Sequence, residues 1–342
     1  MTIIAGFRCQ DGIVLCSDTQ ETSGDTKRNV TKLQCFQGPV ISQDGVVLCS
    51  DTQETSEGAK RNVTKLQCFQ GPVISQDRQG MVNADLGLAI CGAGYGPFID
   101  KITSQAWDAV RHVSDIWEAS ERVESMIKET YQEFGEIYQT GACPQVDLIY
   151  GITKGGASRL FQAIGPVVNE ATYASDGIGS YLANFLTTRM RGDSWLTIRQ
   201  TIILAAYILF QAKEHVEGCG GDSHIAVLRE SESSGMVDFR LIQHLTEYLK
   251  SADHYTGEML LTAADFSISD SDASDGISNS VDMLKFLRSE EIKRLEEHRE
   301  SDRSLFFGLG GFKRKEDDLG LPIMERQTGS QTSENEAGNE EG

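Results

Sequence analysis

Thr2, Asp18, the two lysines Lys32 and Lys65, and a glycine pair at 92 and 94 are the residues whose types and spacing suggest chemistry. Removal of an initiator Met in front of a small residue leaves Thr2 with a free α-amine. That amine titrates near pH ~8. It can take the proton from the hydroxyl of its own residue, which is one way to activate a weak nucleophile. Many chains begin Met-Thr, so the threonine gains weight only from what surrounds it. Gly92 and Gly94 lie in Gly92-Ala93-Gly94-Tyr95-Gly96-Pro97. A glycine-rich turn there brings backbone N–H groups close to a bound molecule. Its spacing is not a dinucleotide fingerprint.

The elements that must position these residues begin at the N-terminus. Ile3-Ile4-Ala5-Gly6-Phe7 and Ile13-Val14-Leu15 are apolar, strand-forming runs joined by Gln10-Asp11-Gly12, which is hairpin chemistry. The hairpin returns Asp18 towards Thr2.

With the segment Arg28-Asn29-Val30-Thr31-Lys32-Leu33 added, this stretch resembles the proteasome-type threonine peptidases. That family includes proteasome β subunits and the peptidase of the simpler bacterial ATP-dependent protease. The match covers roughly residues 2–229 and rests on Thr2, Asp18 and Lys32. The resemblance implies an α+β fold, the four-layer αββα sandwich of N-terminal-nucleophile hydrolases, acting as a threonine-type endopeptidase on unfolded polypeptide. Thr2 would be the nucleophile. Lys32 would lower the proton affinity of its amine and Asp18 would hold the lysine. Gly92 or Gly94 would supply an oxyanion-hole N–H. The resemblance also implies self-association into rings and an ATPase unfoldase as partner, with no metal or organic cofactor. Two places depart from the pattern. Ile178 stands where the family has a serine in its Gly-Ser-Gly turn. Cys219 and Val216 replace a serine and an aspartate before the last strand. These departures leave two other readings open: a catalytically inactive ring subunit, and an amidase of the same fold acting on small molecules.

A tandem repeat complicates the site. Residues 10–42 recur as residues 43–75, and the copies differ only at Ile13/Val46, Gly24/Glu57, Asp25/Gly58 and Thr26/Ala59. Two copies do not make a solenoid. Asp51 and Lys65 are therefore alternatives to Asp18 and Lys32. The short hairpin favours Asp18, because its loop closes at lower entropic cost. One copy is expected beside Thr2, with Val30 and Leu33 or Val63 and Leu66 buried. The other is expected at a sheet edge or outside the domain.

The chain has 342 residues and a net charge of −20. An excess of acid argues against nucleic acid, whose phosphates need basic partners, and against an anionic membrane surface. The longest apolar run, residues 202–210, is too short to span a bilayer. No signal peptide precedes the first strand, and a cytoplasmic location is expected. Eight cysteines without a C-x-x-C pair read as reduced, buried thiols and not as a zinc site.

Helical periodicity covers residues 98–138, 181–191 and 196–215, and strands are expected at 146–153, 158–164 and 224–228. This places the hydrolase-like domain at residues 1–232. Residues 233–304 read as a helical extension containing an acidic Ser/Asp linker at 267–280. Residues 305–342, with a basic Lys313-Arg314-Lys315, are of disordered composition.

Overall fold

A computed structural model describes residues 3–18, 20–23, 26–29, 33–36, 46–48, 54–56, 59–61, 66–75, 82–137, 145–191, 195–230 and 234–301. The fold is α+β. Strands β1 (Ile3–Arg8) and β2 (Gly12–Ser17) form the antiparallel hairpin, with Arg8 opposite Ile13 and Ile4 opposite Ser17. Every residue of β2 is buried. Their sheet has the order β14-β1-β2-β15-β6, where β14 is Tyr173–Gly177, β15 is His224–Arg229 and β6 is Val46–Leu48.

A second sheet has the order β13-β12-β11-β10-β9-β5. Its strands are β5 (Leu33–Phe36), β9 (Leu66–Ser75), β10 (Val82–Gly94), β11 (Val146–Lys154), β12 (Ala157–Ile164) and β13 (Val167–Ala171). All pairs in both sheets are antiparallel except β5 with β9. Two small ribbons, β3 (Gln20–Ser23) with β4 (Thr26–Asn29) and β7 (Glu54–Ser56) with β8 (Ala59–Arg61), complete the strands among the described residues.

Alternation along β10 separates two cores, because successive strand residues face opposite sides. Leu86, Leu88 and Ile90 pack with Phe98, Ile99, Ile102 and Ala106 of helix α1 (Gly96–Val110) and with Ala119 and Val123 of α2 (Ile116–Ile137). Ala89 and Cys91 point the other way, into a core shared with β1, β2, β15 and helix α4 (Ile198–His215). The break between α1 and α2 is set by Asp115, whose carboxylate accepts the N–H groups of Trp117 and Glu118. Helix α4 starts at a reciprocal capping box of Thr197 and Gln200 and buries an almost continuous apolar surface. The carboxylate of Asp11 in the β1–β2 turn accepts the N–H of Ile198, tying the hairpin to this helix.

Two expectations need correction, and two strands had no counterpart in the sequence reading. The glycine-rich segment at 92–94 is not a turn. Strand β10 continues to Gly94, with Gly92 opposite Leu148 and Gly94 opposite Val146, and helix α1 starts two residues later. Residues 270–280 are not a linker. They are the first three turns of α6 (Asp270–Ser301), which packs beside α5 (Phe239–Ala264). Ser269 accepts the N–H of Asp272 there, and Asp270 and Asp272 occupy the first turn. The positive end of the helix dipole favours acidic residues at that place. Finally, β13 and β14 carry too mixed a pattern to stand out in the sequence. Five-residue Val167–Ala171 buries no residue completely.

The copies are not placed whole, one inside and one outside, as expected; each is split, since in the second sheet β9 of the second copy is internal and β5 of the first is marginal. β2, from the first copy, lies beside β1, while its counterpart β6 lies at the margin of the same sheet. The side chains of residues 30, 33, 63 and 66 lie outside the described residues, as do residues 305–342.

Candidate active site

The start of β1 is where the candidate chemistry converges. Asp18 follows β2 and has no exposed surface. Its Oδ1 accepts the N–H of Ile3 at 2.7 Å and its Oδ2 accepts the N–H of Gly220 at 2.8 Å. Its own N–H donates to the Ile3 carbonyl at 2.9 Å, and the Ser17 hydroxyl donates to the Asp18 carbonyl at 2.9 Å. Charge-assisted bonds of this kind are the strong ones. They fix a buried anionic group against the first described residue of the chain.

Two turns close around it. Gly177 lies opposite Ile3 and ends β14. The following Gly179 accepts the N–H groups of Leu182 and Ala183 at the start of α3 (Ser180–Arg191). A Cβ on Gly179 would lie 2.8 Å from Ile3 Cβ and 3.1 Å from Cys219 Sγ, so glycine lets this turn pack against those two side chains. Ile178 projects into solvent, whereas Cys219 and Val216 are buried. The two places where the sequence departs from the family pattern thus both border the start of β1. Gly220, which the sequence reading did not single out, supplies one of the described bonds to the Asp18 carboxylate. A backbone N–H carries no side-chain signature, and the local Cys219-Gly220-Gly221 pattern was the only available signal.

Gly92 and Gly94 differ in environment. Gly92 is buried under Ile99 and beside Leu148. Gly94 is exposed, with φ of +116°, and a Cβ there would meet the Gln145 carbonyl at 2.4 Å. The described ladder between β10 and β9 ends at Cys91 opposite Leu66, short of both. Thr2, Lys32, Asp51 and Lys65 lie outside the described residues.

A carboxylate pair relates the ends of the two sheets. Asp147 lies opposite Ala93 at the end of β10, and Asp176 lies opposite Ile4 on β1. Burial, and then the charge of Asp176, push the Asp147 carboxyl up to about 6. A carboxyl raised in the folded state binds its proton more tightly when folded. It is therefore neutral and costs nothing below the ordinary carboxylate range, and it destabilises as pH rises through about 6. Asp147→Asn should stabilise the fold at pH 8 by roughly 1 kcal/mol, after allowance for partial exposure. The gain should vanish near pH 4, and urea unfolding at the two pH values measures it. Among the described residues no group of His, Cys, Asp or Glu could hold a metal ion, and no helix is long and apolar enough to cross a membrane. Cys9, Cys16, Cys91 and Cys219 are buried thiols outside any disulfide.

No family model and no curated protein matches the chain. Solved structures do. A Gly-1 mutant of Anbu from Hyphomicrobium sp. strain MC1 is similar with a TM-score of 0.50 and 14% identity, covering 75% of this chain and 96% of its own. The helical assembly of the Anbu complex from Pseudomonas aeruginosa gives 0.51 and 12%, covering 75% and 95%. Anbu from Yersinia bercovieri, described as an ancestral beta-subunit, gives 0.49 and 15%, covering 72% and 93%. These similarities establish fold likeness alone. They also correct the earlier attribution. The similar structures are Anbu, and neither of the two branches named from the sequence motifs is retained.

Proposed function

We propose that the chain is a threonine-type peptidase of the N-terminal-nucleophile kind, built on the fold it shares with Anbu. The layer order, helices outside two facing sheets, is read as the αββα arrangement of such hydrolases. One observation carries the functional reading: the buried carboxylate of Asp18 is bonded to the N–H of Ile3, the residue that follows Thr2. An anion held there favours a cationic partner at the start of the chain. After removal of Met1, the Thr2 hydroxyl would attack a substrate carbonyl carbon and pass its proton to the Thr2 amine. The oxyanion would meet a backbone N–H at the end of β10. Exposed Gly94 suits this role better than buried Gly92. The amine would return the proton to the leaving nitrogen, and water would then release the ester formed on Thr2.

Lys65 is taken as the lysine of the site in preference to Lys32. Leu66, next in the chain, lies opposite Cys91 on the strand that bears Gly92 and Gly94, whereas Leu33 lies one strand further out, opposite Leu66. Asp18 is kept because β2 lies beside β1. Lys65→Ala should lower kcat/KM for peptide hydrolysis on the order of 10²–10³-fold, and Lys32→Ala should leave it nearly unchanged. The reverse ranking would return the role to Lys32.

A covalent threonine-directed inhibitor tests the function itself. Its mass should appear on the peptide beginning at Thr2. An unmodified peptide would favour the second reading, a catalytically silent subunit. Exposed Ile178 and buried Val216, where polar residues were expected, support that alternative. The substrate is proposed to be unfolded polypeptide, and comparison with small amides tests that part. Self-association is proposed as well. The Pseudomonas aeruginosa neighbour is a helical assembly, so an open head-to-tail arrangement joins the closed ring as a form to look for. Sedimentation of a stable monomer at micromolar concentration would count against both.

A further inference from the structure

The helix pair after β15 is packed at its base and bare at its end. Leu241 and Ile242 of α5 are buried, and Leu245, Leu249 and, from α6, Leu295 pack against the same core. Asp253 ties α5 to α4, accepting from the Tyr207 hydroxyl at 2.7 Å and the Gln211 amide at 2.9 Å. Beyond it, no residue from His254 to Asn279 is buried. The rest of α5, at ~1.5 Å per residue, carries the end of the hairpin roughly 16 Å past this tie.

That end is both apolar and acidic. Leu260, Leu261 and Phe266 are exposed, Phe266 at 95%, as are Met283 and Phe286 of α6. Between Tyr255 and Leu284 stand Glu258, Asp265, Asp270, Asp272, Asp275 and Asp282, with no Lys, Arg or His. A groove of about 460 Å³ lies between the two helices, with Tyr255, Glu258, Leu261, Thr262, Gly276 and Met283 along it. Gly276 lets the helices close together there, since a Cβ on it would lie 2.9 Å from Thr262 Cγ2.

Helix α3 is the counterpart in sign. In a chain of 51 acids and 31 bases, residues 177–191 hold Arg189 and Arg191 and no acid. Tyr181, Phe185 and Arg189 recur every four residues and share one face of the helix, while Ala183, Leu186 and Thr187 are buried. Tyr181 is 62% and Phe185 57% exposed. Met190 and Trp195 are exposed at the end of the helix, where Arg191 lies over the Trp195 ring. Exposed apolar surface of this extent marks a contact site. Within one chain both surfaces stay exposed, so the chain does not satisfy them by itself. An aromatic stripe with a basic end matches an apolar groove rimmed by acids, as a helix laid in a groove.

We propose that the distal α5–α6 hairpin of one copy docks on α3 of a second copy, with Tyr181 and Phe185 against the groove and the two arginines among the acids. This rests on the self-association proposed above and names the surfaces that carry it. Each copy offers one groove and one helix, so two copies can close reciprocally and more can extend head-to-tail.

Charge reversal tests both surfaces by sedimentation velocity at micromolar concentration. Glu258→Lys/Asp275→Lys on the hairpin and Arg189→Glu/Arg191→Glu on α3 should each weaken association roughly tenfold or more. An equimolar mixture of the two variants should recover it, because the signs are again opposite. With one variant carrying heavy nitrogen, native mass spectrometry should find both in the recovered species. Wild-type association should also weaken as salt is raised. Phe266→Ser changes a side chain that the fold does not bury, so it decides the matter where a charge variant fails to fold. It should weaken association and leave the urea-unfolding midpoint unchanged. Unchanged assembly in Phe266→Ser, or in both charge variants, would overturn the docking surface and leave self-association standing. Loss in both charge variants without recovery in the mixture would overturn it as well. A monomeric wild type would defeat self-association, and the docking with it. None of these readouts depends on hydrolytic activity.

Discussion

Thr2→Ala abolishes peptide hydrolysis, with an expected fall in kcat/KM on the order of 10⁴-fold or more. The substitution removes the only atom that is asked to form a bond to the substrate. It leaves the amine, the strand that follows it and the buried Asp18 carboxylate in place. A nucleophile that acts as a unit with its base cannot be replaced by what remains, since the oxyanion donor and the binding surface supply only the residual rate. Thr2→Ser, which keeps an oxygen at the same position, should retain most of the activity. The measurement is hydrolysis of a fluorogenic peptide and of an unfolded protein, alongside circular dichroism to show that the fold is unchanged. Equal turnover by the alanine variant would end the threonine mechanism.

The parts of the fold legible in the sequence are those determined locally. The β1–β2 hairpin follows from two apolar runs and a Gly-containing turn. Strand β12 follows from the Gly155-Gly156 turn, whose two positive φ angles of 60° and 77° suit the strand twist. Helix α4 follows from an apolar run and its capping residues. What escaped was decided at long range. β14 is short, and only one of its five residues is fully buried, yet it places Gly177 opposite Ile3. The extension of β10 through Gly92 and Gly94 is imposed by β11, whose residues pair with each of its last nine positions. Ser and Asp in residues 269–280 suggest a linker by composition. Their order, however, supplies a cap and an acidic first turn, and α5 supplies a surface to pack on. The repeat is the clearest limit. Two nearly identical sequences cannot declare which copy enters which sheet, and the outcome, half of each, is a property of the whole topology. At the site, Asp18 could be named from its place at the end of a strand. Its bonds to two backbone N–H groups could not.

Asp18→Ala is expected to destabilise the fold by roughly 3–5 kcal/mol. The N–H groups of Ile3 and Gly220 both donate to this carboxylate in a place with no exposed surface. The Ile3 N–H would be left buried and the half-buried Gly220 N–H would lose this acceptor, at about 1–3 kcal/mol apiece, and a small cavity adds to the loss. Against a typical total of about 5–15 kcal/mol, that is a large share, concentrated where β1, β2 and the loop before β15 meet. Asp18→Asn keeps the shape but offers one acceptor oxygen in place of two, so one N–H faces the amide NH₂. An intermediate loss follows, with full loss of the negative charge. The comparison separates two roles. If the carboxylate only ties the backbone together, the asparagine variant should lose activity in proportion to its unfolded fraction. If its charge also supports the amine of Thr2 and a lysine, activity should fall much further than stability, and the pH profile of hydrolysis should shift. Asp51→Ala is the control. It removes the equivalent residue of the second copy, three residues after marginal β6 in the chain, and should change urea-unfolding midpoint and turnover little. A stable Asp18→Ala chain with wild-type turnover would show that the charged anchor at the start of β1 is dispensable, and with it the observation on which the catalytic reading stands.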